Sequence, residues 1–74
     1  MARHFVMDST GHSTIDFDKA DPGALKEAMD RFKALTGSGH AAATRKTGET
    51  DYTVVRNFKD TQDETLFVPA MQGG

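Results

Sequence analysis

Seventy-four residues make one domain, and a chain this short buries only about 60% of its unfolded surface, so its core is small. With no cysteine there can be no disulfide, thiolate nucleophile, redox pair or cysteine-based zinc site, which fits a cytoplasmic setting. The net charge is −2 with both signs interspersed; no basic stripe marks a nucleic-acid partner, no segment reaches membrane-spanning length, and Met1–Phe5 lacks the apolar run of a signal peptide.

The first predicted strand runs from Arg3 to Asp8. Its successive apolar residues Phe5, Val6 and Met7 suit a central strand. Asp8-Ser9-Thr10-Gly11 reads as a turn, since Asp and Ser bond their own backbone and Gly accepts positive φ. A second strand, His12–Asp18, alternates Thr14, Asp16 and Asp18 with Ser13, Ile15 and Phe17, so the two form a hairpin.

A helix follows. Asp21 is an N-cap and Pro22 sits at the first helical position, where its missing N–H costs nothing. Leu25, Ala28, Met29, Phe32 and Leu35 form one apolar stripe, with Lys26, Glu27, Asp30, Arg31 and Lys33 on the other faces. Gly37 is placed to end the helix in a left-handed cap. Burial of the stripe contributes roughly 1.5–3 kcal/mol per large side chain.

After Gly37-Ser38-Gly39, the segment His40–Arg45 is predicted as a strand despite Ala41-Ala42-Ala43, because two glycine-containing turns leave little room for a helix. Thr47-Gly48-Glu49 turns the chain. Tyr52–Phe58 is a fourth strand centred on Val54 and Val55, Lys59–Glu64 is a loop or single helical turn, and Thr65–Pro69 is the last strand. Pro69 stops it for want of an N–H. A hairpin, one helix and three more strands give an α+β fold: a mixed sheet of four to five strands with the helix packed on one face. The crossover lets the last strand lie parallel to the first in the middle of the sheet, as in a β-grasp.

The chain's last two residues, Gly73-Gly74, add no stability, because glycine has nothing to bury and the most freedom to lose. They are either a frayed end or a tail shaped for a channel too narrow for a Cβ. A terminal glycine carboxylate is the least hindered acyl group a protein offers.

Other chemistry is poorly supported. His4, His12 and His40 lack paired metal-ligand spacing and read as solvent-facing strand residues. Asp16, Asp18 and Asp21 lack the offsets of a calcium loop. No Ser/His/Asp set is placed as a triad, and Gly37-Ser38-Gly39 follows a helix instead of opening one. The sheet face opposite the helix should carry an apolar patch near the tail, drawn from Phe67, Val54, Val55 and Tyr52, with Met71 as an adaptable contact. Either Phe67 points outward or its neighbours Leu66 and Val68 do.

The ending, with Glu64, Phe67, Pro69, Gly73 and Gly74, resembles that of ubiquitin-like β-grasp proteins, in particular the small sulfur-carrier subunit of molybdopterin synthase. The likeness covers about a dozen residues of the tail, together with length and element order. It departs from sulfur carriers where Asp60-Thr61-Gln62-Asp63 stands in place of a glycine-aspartate turn. The resemblance implies a β-grasp domain over residues 1–70 and a flexible diglycine tail over 71–74. It implies a substrate with no cofactor of its own, not an enzyme. A ubiquitin-activating-type adenylating enzyme would activate Gly74, Gly73 would let the backbone fit the channel, and Phe67, Met71, Val54 and Tyr52 would meet the partner. The expected fate of Gly74 is conjugation to target proteins, making the chain a protein modifier. The alternatives are a thiocarboxylate that donates sulfur to a synthase subunit, in a molybdopterin- or thiamine-type pathway, and a non-covalent binding module with an incidental diglycine.

Overall fold

The computed structural model describes residues 2–8 and 11–69. Its elements are β1 (Ala2–Asp8), β2 (Gly11–Phe17), α1 (Pro22–Gly37), β3 (His40–Arg45), β4 (Thr53–Val55), a 3₁₀ turn (Phe58–Asp60) and β5 (Glu64–Pro69). Five strands form one mixed sheet in the order β2-β1-β5-β3-β4. β1 pairs antiparallel with β2 and parallel with β5, and β3 is antiparallel to both β5 and β4. The expected α+β class and β-grasp-like topology are therefore present, with the last strand beside the first at the centre of the sheet. The expected flexible tail over 71–74 lies outside the described residues.

The helix begins as its sequence dictates. The Asp21 carboxylate accepts from the backbone N–H of Gly23 at 3.0 Å and of Ala24 at 3.4 Å, with Pro22 beside it. Its end differs from expectation. Gly37 is still helical, and the left-handed residue is Gly39, at φ +100°. Hydroxyl groups explain the extension: Thr36 Oγ1 donates to the Phe32 carbonyl at 2.8 Å, and Ser38 Oγ to the Leu35 carbonyl at 3.0 Å. The Leu35 carbonyl, one of those the last turn leaves open, also accepts from the Ser38 N–H at 3.1 Å, and Gly39 then reverses the chain into β3.

Only Ala28 and Phe32 of the apolar stripe are fully buried; Leu25, Met29 and Leu35 are half-buried at its margins. The alanine run of β3 has a use here. Ala42 is buried beneath the helix, and like Ala28 it lets helix and sheet approach closely. Phe32 and Phe67 fill the remaining space edge to face, with ring centres 5.7 Å apart.

The fourth strand is shorter than expected. It ends at Val55, and the chain bends at Arg56-Asn57 so that Phe58 can turn inward. There it packs against Phe32 (5.9 Å) and His4 (6.4 Å), and the 3₁₀ turn is closed by the Thr61 hydroxyl on the Phe58 carbonyl at 2.6 Å. Burial of one aromatic ring outweighs the extra strand pairing that Arg56 to Phe58 would have made.

His4 is the main departure from expectation. It is not solvent-facing but only 1% exposed, on the helix side of β1. The apolar core is in two parts, one around Ala2, Phe17 and Ala28 and one around Phe32, Ala42 and Phe67. The His4 ring lies between them, edge-on to Phe17 at 4.8 Å and to Phe67 at 4.9 Å. Arg31 Nε donates to His4 Nδ1 at 3.1 Å. A guanidinium only donates, so Nδ1 must be the bare nitrogen and Nε2 carries the proton, buried without a partner. His40, also expected on the surface, is half-buried, with Nε2 3.2 Å from the Met7 carbonyl; His12 is exposed as expected.

Burial, and then the adjacent Arg31 charge, push the His4 imidazole down to about 4. Unfolded, it titrates near its ordinary value of about 6.5. Between these values the unfolded chain binds the extra proton, so stability is full above about 6.5 and is lost as pH falls toward 4, with a slope of up to about 1.4 kcal/mol per pH unit. Urea midpoints measured across this window should fall with acid in the native chain and stay nearly level in His4→Leu. An equal slope in both would remove His4 as the cause.

Candidate functional site

Strand alternation gives the sheet two distinct faces. One carries His4, Phe17, Ala42, Thr44, Thr65 and Phe67 beneath the helix, all buried. The other has no layer over it. Phe67, expected as a candidate contact, is 0% exposed and lies against Phe32, so its side chain is not available to a partner. The other of the two expected arrangements holds: Leu66 and Val68 point outward.

On the open face the register aligns side chains into two rows. The first runs Thr14, Phe5, Leu66, Ala43, Val54 and crosses all five strands. Met7, Val68 and Ala41 extend its apolar character toward the Pro69 end of β5. Val54 is 71% and Met7 41% exposed, while Phe5, Leu66 and Val68 are half-buried by their neighbours. Ala41 and Ala43 have nothing beyond Cβ, so β3 is the floor of a shallow trough between β5 and Val54. An apolar face rimmed by charge is a common form of protein-binding surface.

The second row is ionic. Asp16, Arg3, Glu64 and Arg45 sit side by side on β2, β1, β5 and β3. Arg3 Nε meets Asp16 Oδ1 at 2.6 Å and Arg45 Nε meets Glu64 Oε1 at 2.7 Å. The Arg3 guanidinium holds the Asp16 carboxyl below the usual carboxylate range. Arg45 also donates to the Glu49 carbonyl at 3.1 Å and stacks over Tyr52, its guanidinium carbon 4.6 Å from the ring centre. Tyr52 therefore belongs to the charged end of this face, and Val54 to its apolar end. A one-residue slip of β1 against β2 would set Ile15 or Phe17 opposite Arg3, and a slip of β5 against β1 would set Ala2 or His4 opposite Glu64, so the row pins the register.

The expected contact residues thus divide. Val54 and Tyr52 are on the open face, Phe67 is in the core, Val55 faces the helix side, and Met71, Gly73 and Gly74 lie outside the described residues. Phe5, Met7, Leu66 and Val68 were not singled out as contacts. For Phe5 and Met7 the signal is the period of two in β1, hidden because polar His4 occupies a core position; for Leu66 and Val68 on β5 the continuous apolar run holds none. Among the described residues, no three His, Asp or Glu side chains stand close enough together to hold a metal ion, and no helix is long and apolar enough to cross a membrane.

The two faces respond differently to substitution. Val54→Asp should shift the stability by no more than about 1 kcal/mol, whereas Phe67→Ala should cost about 3–5 kcal/mol, a large part of what so small a domain has. Urea denaturation of both variants checks this; a severe loss in Val54→Asp would mean that the face is covered.

No family model, curated protein or solved structure matches this chain. What it shares with β-grasp proteins is topology: a hairpin, a helix over the sheet, and a last strand laid parallel to the first.

Proposed function

We propose that the chain is a ubiquitin-like protein modifier whose Gly74 carboxylate is activated by an ATP-dependent adenylating enzyme and joined to target proteins. The observation that carries this reading is the relation of β5 to the open face. β5 is the central strand, it runs from the ionic row toward the apolar end, and Pro69 closes it beside Val68 and Ala41. Whatever follows Pro69 thus starts from the apolar half of the exposed face. A partner seated on Phe5, Leu66, Val68 and Val54 has Pro69 beside it. In this scheme the chain is a substrate and supplies no catalytic group.

The chemistry follows from the tail. The Gly74 carboxylate attacks the α-phosphate of ATP, giving an acyl adenylate and releasing pyrophosphate. A thiolate of the activating enzyme displaces AMP to form a thioester. A target amine then displaces the thiolate and forms the amide. Gly73 and Gly74 suit a narrow channel because neither has a Cβ. The proline before the tail supports a second fate, in which sulfide displaces AMP and leaves a thiocarboxylate for a synthase subunit.

Intact and tryptic masses of the protein recovered from its native host test the proposal. Conjugation leaves a branch of residues 60–74, produced by cleavage after Lys59, on target lysines. Removing Gly74, or adding a residue after it, should abolish these branches without moving the melting temperature. A truncated chain that is still conjugated would refute the reading. A free chain with one oxygen replaced by sulfur would decide for the sulfur carrier. A chain unmodified in the presence of active partner enzymes would leave a non-covalent module.

A further inference from the structure

A second surface lies on the opposite side of the molecule, away from both the open sheet face and the Pro69 end of β5. Between the first half of α1 and the 3₁₀ turn there is an open groove of about 700 Å³. Its floor is apolar: Leu25 and Met29 from the helix, Phe58 from the turn. Its rim is basic, with Lys19, Lys26 and Lys59, and no carboxylate lines it. Three of the chain's five lysines thus surround one apolar groove on a molecule whose net charge is −2.

The lysines are available. Lys26 meets Asp30 at 3.3 Å and Lys19 meets Asp63 at 3.7 Å, both through exposed side chains. Pairs of that kind are worth little and exchange readily for a better-placed anion. Lys59 makes no ion pair among the described residues. The floor is not sealed. Leu25, Met29 and Phe58 are each half-buried, although Phe58 is also part of the core. Met29 has the flexible side chain that adapts to varied shapes.

We propose that this groove docks an acidic amphipathic helix of a partner protein. Charge and shape together point to this occupant. The apolar floor takes two or three side chains of the size of Leu or Phe, and the lysine rim takes carboxylates on either side of them. An apolar strip flanked by acids is what a short helix presents. A volume of about 700 Å³ would also admit a small molecule, so charge decides: three ammonium groups spaced around an apolar floor match several separated carboxylates with apolar side chains between them, as a helix carries. Because α1 and the sheet separate the two surfaces, a helix bound here leaves the open face and the Pro69 end of β5 accessible. The inference does not depend on the fate of Gly74.

The probe is a synthetic helical peptide of about twelve residues with Leu at i, i+3, i+4 and i+7 and Glu beside them. It is titrated into the isotope-labelled full chain while backbone amide shifts are followed. The expected result is saturable binding, with shifts confined to Lys19, Leu25, Met29, Phe58 and Lys59. Lys59→Glu combined with Lys26→Gln should weaken it at least tenfold with the melting temperature kept, and raising the salt from about 0.05 to 0.5 M should weaken it likewise. The same peptide with Lys for Glu should not bind. Val54→Asp should leave the affinity unchanged, which separates this groove from the open face. Equal binding of the basic peptide, shifts on Phe5, Leu66 or Val68, or no binding at millimolar peptide would each overturn the proposal. So would preferential binding to anionic lipid vesicles, which would assign the groove to a membrane surface.

Discussion

The structure depends on one contact layer, the side-by-side placement of His4 and Phe67 on the two central strands beneath the helix. Their rings are 4.9 Å apart, edge to face, and each reaches further: His4 to Phe17, Phe67 to Phe32. Together with Phe58, which packs against both apolar clusters, this layer joins them beneath the helix. A histidine in that position is a costly choice, because its ring must be neutral and one nitrogen remains unsatisfied. Arg31 offsets part of that cost by donating to the other nitrogen, and so ties the helix to β1 by a hydrogen bond as well as by packing.

The same layer decides what the other face can do. Since alternation is strict, committing His4, Thr65 and Phe67 inward commits Phe5, Leu66 and Val68 outward. Helix packing and the exposed apolar face are therefore two sides of one register. The ionic row of Asp16, Arg3, Glu64 and Arg45 holds that register at one end of the sheet. Directly beside that row, on the helix side of the sheet, Thr44 and Thr65 form the adjoining register pair; their hydroxyls, 3.2 Å apart, fasten β3 to β5 within the core. Thr44 also donates to the Glu64 carbonyl and accepts from the Gln62 N–H, which fixes the loop entering β5.

A small domain with two dissimilar surfaces can take part in two contacts at once. The open face combines an apolar trough with an ionic edge and adjoins Pro69 at the end of β5. The helix-side groove combines an apolar floor with ammonium groups and adjoins the opposite end of β5. Their chemistries differ enough that one partner would not serve both.

The sequence by itself determined the local structure: the Asp21-Pro22 helix start, the strand over His40–Arg45 between its glycine turns, the hairpin, and the α+β order that places the last strand beside the first. These are governed by capping, turn chemistry and periodicity within a few residues. Tertiary structure alone decided which side of β5 faces the helix, because Leu66, Phe67 and Val68 are all apolar and the alternation carries no preference. It decided that His4 is buried, since polarity in the sequence argues the reverse and only three surrounding phenylalanines and Arg31 make it tolerable. It decided that β4 stops at Val55, because the inward turn of Phe58 is favoured by rings distant in sequence. The groove lysines, at positions 19, 26 and 59, meet only once the helix and the 3₁₀ turn are packed together. Local rules act along the chain, while the open face and the groove are made by residues that the chain brings together from far apart.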